Sequence, residues 1–165
     1  MSRTSWWASK ARQLVPLPVA HAGDQVAAEL AAWLRPSEVE LFDAMHVADR
    51  RHGLDVAAVL RRGGVRDRDV LAAAVLHDCA KGDTGPLPRI AWSLGEAYGP
   101  WVWSIARRVP GWNAALTRLE DHAEASARLV ESAGLPPFAV GLVRHQAEPQ
   151  DPTYGLAFHA ADEAC

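Results

Sequence analysis

Residues 70–83 read VLAAAVLHDCAKGD, a run of alanine and large aliphatic residues that ends in several polar side chains. Alanine and leucine favour helix, and Asp67 stands where an N-cap is expected, so we predict a helix from there to about Lys81. On such a helix His77, Asp78 and Lys81 share the face of the preceding aliphatic residues. They therefore lie on the side expected to face the core. This ending is either an ordinary helix terminus or a reactive site.

Composition limits the class of protein before any motif is weighed. At 165 residues, with 49% hydrophobic and 22% charged residues, the chain has the balance of one globular domain. A net charge of −3 argues against general nucleic-acid binding. Two cysteines provide no disulfide framework, which favours the cytoplasm. No apolar run approaches the roughly 20 residues of a bilayer span, so no transmembrane segment is expected.

The hydrophobic pattern is helical along the whole chain, and no strand-like alternation of useful length occurs. It predicts an all-α bundle of about seven to eight helices. The predicted helices cover residues 24–35, one or two segments between Ser37 and Arg62, the run that Asp67 caps, two short segments within 87–108, about Glu120 to Gly134, Pro136 to about Gln146, and about 153–164.

Four further polar residues stand on the apolar stripes of other predicted helices: His52, His122, His145 and Asp162. His145, for example, follows Phe138 and Leu142 at helical spacing. Each position alone is better explained by a hydrogen-bonded core histidine, a cap or a salt bridge. Together with His77 and Asp78, they would bury two carboxylates among four imidazoles, which requires a compensating cation. A metal site in the bundle core resolves this conflict, and six ligands suit two ions better than one.

The order His52, His77-Asp78, His122, His145, Asp162 resembles the HD-domain superfamily of metal-dependent phosphohydrolases, which includes a group of short bacterial members. The matching stretches are RRHGLDVAAVL, LAAAVLHDCAKGD, DHAEASARLVESAGLPP, VGLVRHQ and HAADEA. The resemblance covers about residues 37–164. It implies an HD domain over 37–165, preceded by a lead-in and first helix over 1–36. No GYP-type signature follows, which counts against a cyclic-dinucleotide phosphodiesterase of that subgroup.

The resemblance also implies a role for each matching residue. His52, His77, Asp78 and Asp162 correspond to the ligands of a first metal ion. His122 and His145 correspond to additional histidines of binuclear members, in which the residue at Asp78 bridges the two ions. Many of those members have two successive histidines where this chain has His145-Gln146. Lys81 corresponds to a lysine that contacts a substrate phosphate.

The expected function is therefore hydrolysis of a phosphate ester or anhydride, in a nucleotide or related small molecule. One or two divalent metals per chain are expected, with Fe, Mn, Zn, Mg, Co and Ni all compatible with the ligands, and Asp78 and Lys81 are the expected catalytic residues. Substrate contacts are assigned to Lys81, Arg107, Arg108 and His159, although solvated arginines explain Arg107 and Arg108 better than substrate binding does. Two alternatives remain open: a di-iron oxygenase on the same fold, and a non-enzymatic regulatory or partner-binding module. The chain is expected to be a monomer or homodimer.

Overall fold

The computed structural model describes residues 33–165, and within that range it consists of α-helices without any β-strand. The predicted all-α class is therefore confirmed for the described part of the chain. Eight helices follow one another in this range: α1 (Pro36–Ala44), α2 (Val47–Arg62), α3 (Arg68–Leu76), α4 (Pro86–Tyr98), α5 (Trp101–Ala106), α6 (Trp112–Ser132), α7 (Pro137–Arg144) and α8 (Gly155–Ala164).

The predicted lead-in and nearly all of the helix predicted over 24–35 lie outside the described residues. The part that is described, residues 33–35, is not helical. It forms a turn and an extended link into α1, because Arg35 has backbone angles of φ −72° and ψ 156°. The domain boundary at residue 36 thus stays a prediction.

Helix α3 begins where the sequence predicts and ends earlier. The Asp67 side chain accepts hydrogen bonds from two backbone N–H groups of the first turn. The helix stops at Leu76 rather than continuing to Lys81. In the following segment, two backbone N–H groups each bond to the carbonyl three residues earlier, at 3.0 Å, which is tighter than α-helical spacing. His77 and Asp78 therefore lie in a turn at the end of the helix, not within it.

Two other boundaries differ from the sequence prediction. Helix α6 begins at Trp112, not near Glu120, and follows Gly111, whose φ of 82° is left-handed. Its first turns bury alanine and leucine side chains, so they extend the apolar stripe instead of forming a loop. Helix α7 ends at Arg144, two residues before the predicted end at Gln146. His145 and Gln146 therefore follow the helix rather than lie within it.

Helix α3 occupies the centre of the bundle. Every residue from Val70 to Leu76 is buried, and α1, α2, α6 and α7 all pack against it. A helix covered on all sides has no face for charged side chains, which explains its alanine-rich and aliphatic sequence. Helix α8 packs against α2 on the periphery of this core. His77 and Asp78, at the end of α3, therefore lie in an interior formed by several helices.

A buried ion pair fixes α1 to the start of α3. The Glu38 carboxylate is fully buried and is paired with the Arg68 guanidinium. It also accepts the backbone N–H of Arg35 at 2.8 Å, and the Arg68 Nε atom donates to the Trp33 carbonyl at 2.9 Å. One carboxylate oxygen of Glu38 is thus satisfied within the fold, while the other, Oε1, has the Arg35 guanidinium 3.7 Å away, and we assign the ion pair a structural role.

The longest helix among residues 33–165, α6, has 21 residues, which would suffice in length to cross a bilayer. Charged side chains recur along it, however. None of the helices between residues 33 and 165 combines the length and the hydropathy that a membrane crossing requires.

Helices α2 and α3 approach each other closely at Gly53. A Cβ atom at this position would lie 2.3 Å from the Val75 carbonyl oxygen, where only backbone can move aside. Gly53→Ala is therefore expected to lower the free energy of unfolding by about 2 kcal/mol, because overpacking outweighs the gain in helix propensity. Urea denaturation followed by circular dichroism measures this change.

The matched control is Gly141→Ala on α7, where a Cβ atom would meet nothing within 4 Å. It is expected to raise the stability by roughly 0.5–1 kcal/mol, as alanine normally does in a helix. Equal effects of the two substitutions would contradict the close approach of α2 and α3.

Candidate functional site

Three side chains from separate segments meet in the structure. His52 comes from α2, His77 directly follows α3, and Asp162 lies on α8. The Asp162 Oδ1 atom lies 2.8 Å from His52 Nε2 and 3.4 Å from His77 Nε2. One ligand atom of each residue lies within 4.8 Å of the other two. We call these three residues the triad.

The orientation of His77 is fixed by the backbone. Its Nδ1 atom lies 2.8 Å from the Ala74 carbonyl oxygen, to which it donates a hydrogen bond. The Nε2 atom consequently faces the carboxylates. The ring is 1% exposed and packs edge-on against Phe158, with ring centroids 6.1 Å apart. His77 therefore presents one defined nitrogen to the cluster.

Asp78 extends the triad through both of its carboxylate oxygens. Its Oδ2 atom lies 3.5 Å from His77 Nε2 and 2.5 Å from Lys81 Nζ. Its Oδ1 atom lies 3.5 Å from His122 Nε2. The two oxygens thus face different histidines, and the side chain is 1% exposed. Lys81 brings an ammonium group to the same carboxylate.

The charges of this cluster stabilise one another. Burial alone would favour the neutral acid of Asp78, but His77 and Lys81 hold the pKa of this carboxyl well below its usual range. The same balance of burial against the charges of His77 and His52 lowers the pKa of Asp162. In return, Asp78 and Asp162 outweigh the burial of His77 and raise its pKa to about 9. The carboxylates are therefore ionised, and His77 carries a proton near neutral pH.

His122 lies on the far side of Asp78 and has a different environment. Its Nδ1 atom donates to the Leu119 carbonyl at 2.5 Å. Burial and the charge of Lys81 lower the pKa of His122, so this ring is neutral at pH 7. Its Nε2 atom lies 2.9 Å from the side-chain nitrogen of Gln146, which donates to it. His122 thus contacts Asp78 and Gln146, not the triad.

The structure does not bring His145 into this cluster, since no contact among the described residues joins its side chain to the triad, Asp78 or His122. The sequence placed His145 on a stripe with Phe138, but Phe138 is 40% exposed. The buried stripe of α7 instead runs through Ala139 and Val143, and Gln146, which follows the helix, continues it at a spacing of three. The ligand role of His145 remains a prediction that no contact supports.

The predicted substrate-binding arginines also lie apart from the cluster. Arg107 follows α5 and donates to Asn113, Thr117 and Glu120 of α6, so its guanidinium joins two helices. Arg108 is exposed. Their predicted contact with substrate is therefore without structural support.

His159 lies closer to the cluster and contacts it indirectly. Its Nδ1 atom donates to the main-chain oxygen of Gln146 at 2.8 Å. This bond fixes the backbone of the residue that contacts His122. The structure thus gives His159 a positioning contact, and its predicted contact with substrate stays a prediction.

An ion pair that the sequence prediction missed braces the segment after Lys81. Arg89 of α4 binds both carboxylate oxygens of Asp49, at 2.5 and 2.7 Å. It also donates to Thr84 Oγ1 at 2.8 Å and to the Gly82 carbonyl at 2.9 Å. Asp49 is 4% exposed and precedes the buried Gly53 by four residues. That helical spacing was the signal in the sequence.

The donor set fits a divalent cation. Neutral imidazole nitrogens and carboxylate oxygens are ligands of first-row divalent metals. The Asp78 Oδ1 atom is buried in the cluster without a hydrogen-bond partner among the described residues. Buried polar atoms normally have partners, and orphaned ones indicate a missing ion or other ligand. His52, His77 and Asp162 could hold such an ion, with Asp78 beside them.

Comparison with known proteins assigns no family to this arrangement. The chain matches no protein-family model, no curated protein and no solved structure. The geometry of the cluster and the order of its residues are therefore the observations on which function is argued.

The proton on His77 predicts how stability depends on pH when a chelator is present. A group whose pKa rises from 6.5 to about 9 on folding contributes stability below pH 6.5, and that stability is lost as pH rises through 9. The melting temperature is therefore expected to fall by several degrees between pH 6.5 and 9. Asp78 and Asp162 act in the opposite range. Their pKa values are lowered on folding, so the stability that they contribute is present at neutral pH and is lost only in acid.

Differential scanning calorimetry with two variants tests this assignment. His77→Gln is expected to remove most of the decrease. His46→Gln, at the exposed N-cap of α2, is expected to retain it. A parent melting temperature that is constant or rises over this range would contradict a protonated His77.

Proposed function

We propose that the protein is a metal-dependent phosphohydrolase of the HD-domain type, acting on a phosphate ester or anhydride of a nucleotide or related small molecule. The observation that carries this proposal is the contact of Lys81 with Asp78 at the edge of a His/Asp cluster. The Nζ–Oδ2 distance is 2.5 Å. A cation beside a cluster with an orphaned acceptor suits an anionic substrate better than an uncharged one.

In this proposal the triad and Asp78 hold the metal. A divalent metal at such a site lowers the pKa of a bound water and polarises a phosphoryl oxygen. The two carboxylates are already ionised in the structure, so they need lose no proton to bind a cation. His77 would exchange its proton for the metal, and the bond of its Nδ1 atom to Ala74 directs the other nitrogen toward that position.

Lys81 has the role of binding and neutralising phosphate. Burial opposes its charge, but Asp78 and Asp162 raise the pKa of its ammonium, so it stays protonated. A fixed positive charge at this position stabilises the negative charge that develops on a phosphoryl oxygen. The brace formed by Arg89 and Asp49 limits the movement of the segment that follows Lys81, and so helps to fix the ammonium.

Substrate would approach from the side of Asp162 and Lys81. The Asp162 side chain is 25% exposed and that of Lys81 is 22% exposed, whereas His77 and Asp78 are buried. Asp162 and Lys81 are therefore the most exposed members of the cluster, followed by His122 at 19%. A phosphoryl group entering there would meet the ammonium and the triad together.

The test is a hydrolysis screen with metal-reconstituted protein against nucleotides, dinucleoside polyphosphates and phosphomonoesters. Asp78→Asn preserves the shape of the side chain and removes its charge, and it is expected to reduce turnover to background. Lys81→Met is expected to lower kcat/KM by roughly 100-fold while retaining the metal, because it removes a charge that faces phosphate rather than a ligand.

Asp121→Asn serves as the matched control, since this exposed aspartate directly precedes His122 on α6. It is expected to turn over at the parent rate. Circular dichroism and metal analysis of each variant separate loss of fold or of metal from loss of chemistry. Absence of Asp78-dependent hydrolysis across the panel with several divalent metals would contradict the proposed function.

A further inference from the structure

The lone pair of His122 that faces the cluster is already engaged. Because Nδ1 donates to the Leu119 carbonyl, the free lone pair of the neutral ring must be on Nε2. Gln146 places its side-chain nitrogen 2.9 Å from that atom. The reverse amide orientation would set an oxygen against the lone pair, so the tautomer of His122 also fixes the orientation of Gln146.

The Gln146 side chain is held in this position. It is 5% exposed, and the bond from His159 fixes its main-chain oxygen. Its own Oε1 atom is buried without a partner among the described residues. The amide oxygen of Gln146 therefore has no hydrogen bond, whereas the amide nitrogen donates to His122.

Two acceptor atoms, one from His122 and one from Asp78, face each other and could together bind a second cation. These atoms are His122 Nε2 and Asp78 Oδ1, which lie 3.5 Å apart. Asp78 Oδ1 is orphaned, whereas His122 Nε2 is bonded to Gln146. A cation that binds both acceptors would therefore have to displace the Gln146 amide from His122 Nε2.

We propose that Gln146 restricts the site to one tightly bound divalent metal ion, because its amide occupies the lone pair of His122 that a second ion would need. This inference rests on the proposed metal centre and concerns its stoichiometry. A second ion must break a buried hydrogen bond before it binds His122. The loss of such a bond corresponds to roughly a tenfold weaker affinity or more.

Isothermal titration calorimetry of the metal-free chain with Co²⁺ tests the proposal, and metal analysis after gel filtration counts the ions retained. The parent is expected to bind one Co²⁺ tightly and a second at least tenfold more weakly. Gln146→Leu can neither donate nor accept, so it frees the lone pair and is expected to tighten the second site about tenfold. Gln146→Glu cannot donate and adds a carboxylate ligand, so it is expected to tighten that site further. Gln150→Leu, at an exposed position nearby, is expected to behave as the parent.

The outcomes distinguish failure of the proposed role of Gln146 from failure of the proposed metal centre. Two equally tight sites in the parent, or a second site that none of the Gln146 variants tightens, would overturn the role of Gln146 and leave the metal centre standing. Absence of Co²⁺ binding by the parent and by every variant would overturn both. Gln146→Ala replaces Gln146→Leu if the latter fails to fold, as judged by circular dichroism.

Discussion

The burial of Asp78 is the constraint on which the rest of the site depends. Its carboxylate is 1% exposed at the end of a helix that is covered on all sides. A buried charge is tolerated only where opposite charges and hydrogen bonds compensate it. Lys81 and His77 supply the charges, and His52 and His77 do the same for Asp162. The cluster is therefore one electrostatic unit whose members are needed together.

The fold brings these groups together by converging helices on the end of α3. Gly53 lets the backbones of α2 and α3 approach, which sets His52 beside His77 with ring centroids 5.1 Å apart. Helix α8 packs against α2 and adds Asp162. The cluster thus needs close backbone packing and charge compensation at the same place. Each of these requirements restricts the residues that the core can accept.

The sequence predicted the parts of this site that depend on helical periodicity. His52, His122 and Asp162 stand on apolar stripes of helices, where spacing alone shows which way a side chain projects. His77 and Asp78 were found for the same reason, although the helix that ends just before them is shorter than predicted. The all-helical class followed from the same pattern.

The parts that the sequence did not predict depend on where helices end and on contacts between distant segments. Helix α7 stops at Arg144, and the contact of Gln146 with His122, which joins residues 24 positions apart, has no local signal in the sequence. The spacing of Asp49 from Gly53 indicates that Asp49 is buried, but it does not identify Arg89, 40 positions away, as its partner. The contact of Arg107 with Glu120 joins two helices and was likewise not predicted, and the contact of Arg107 with substrate stays a prediction.

The central claim is that the triad binds a divalent metal, and anomalous diffraction from crystals grown with Zn²⁺ tests it most directly. If the triad binds the ion, an anomalous peak at the zinc edge is expected about 2.0–2.2 Å from His52 Nε2, His77 Nε2 and an Asp162 oxygen. Crystals that contain zinc only at the surface, with His52 and Asp162 still joined by their direct hydrogen bond, would contradict it.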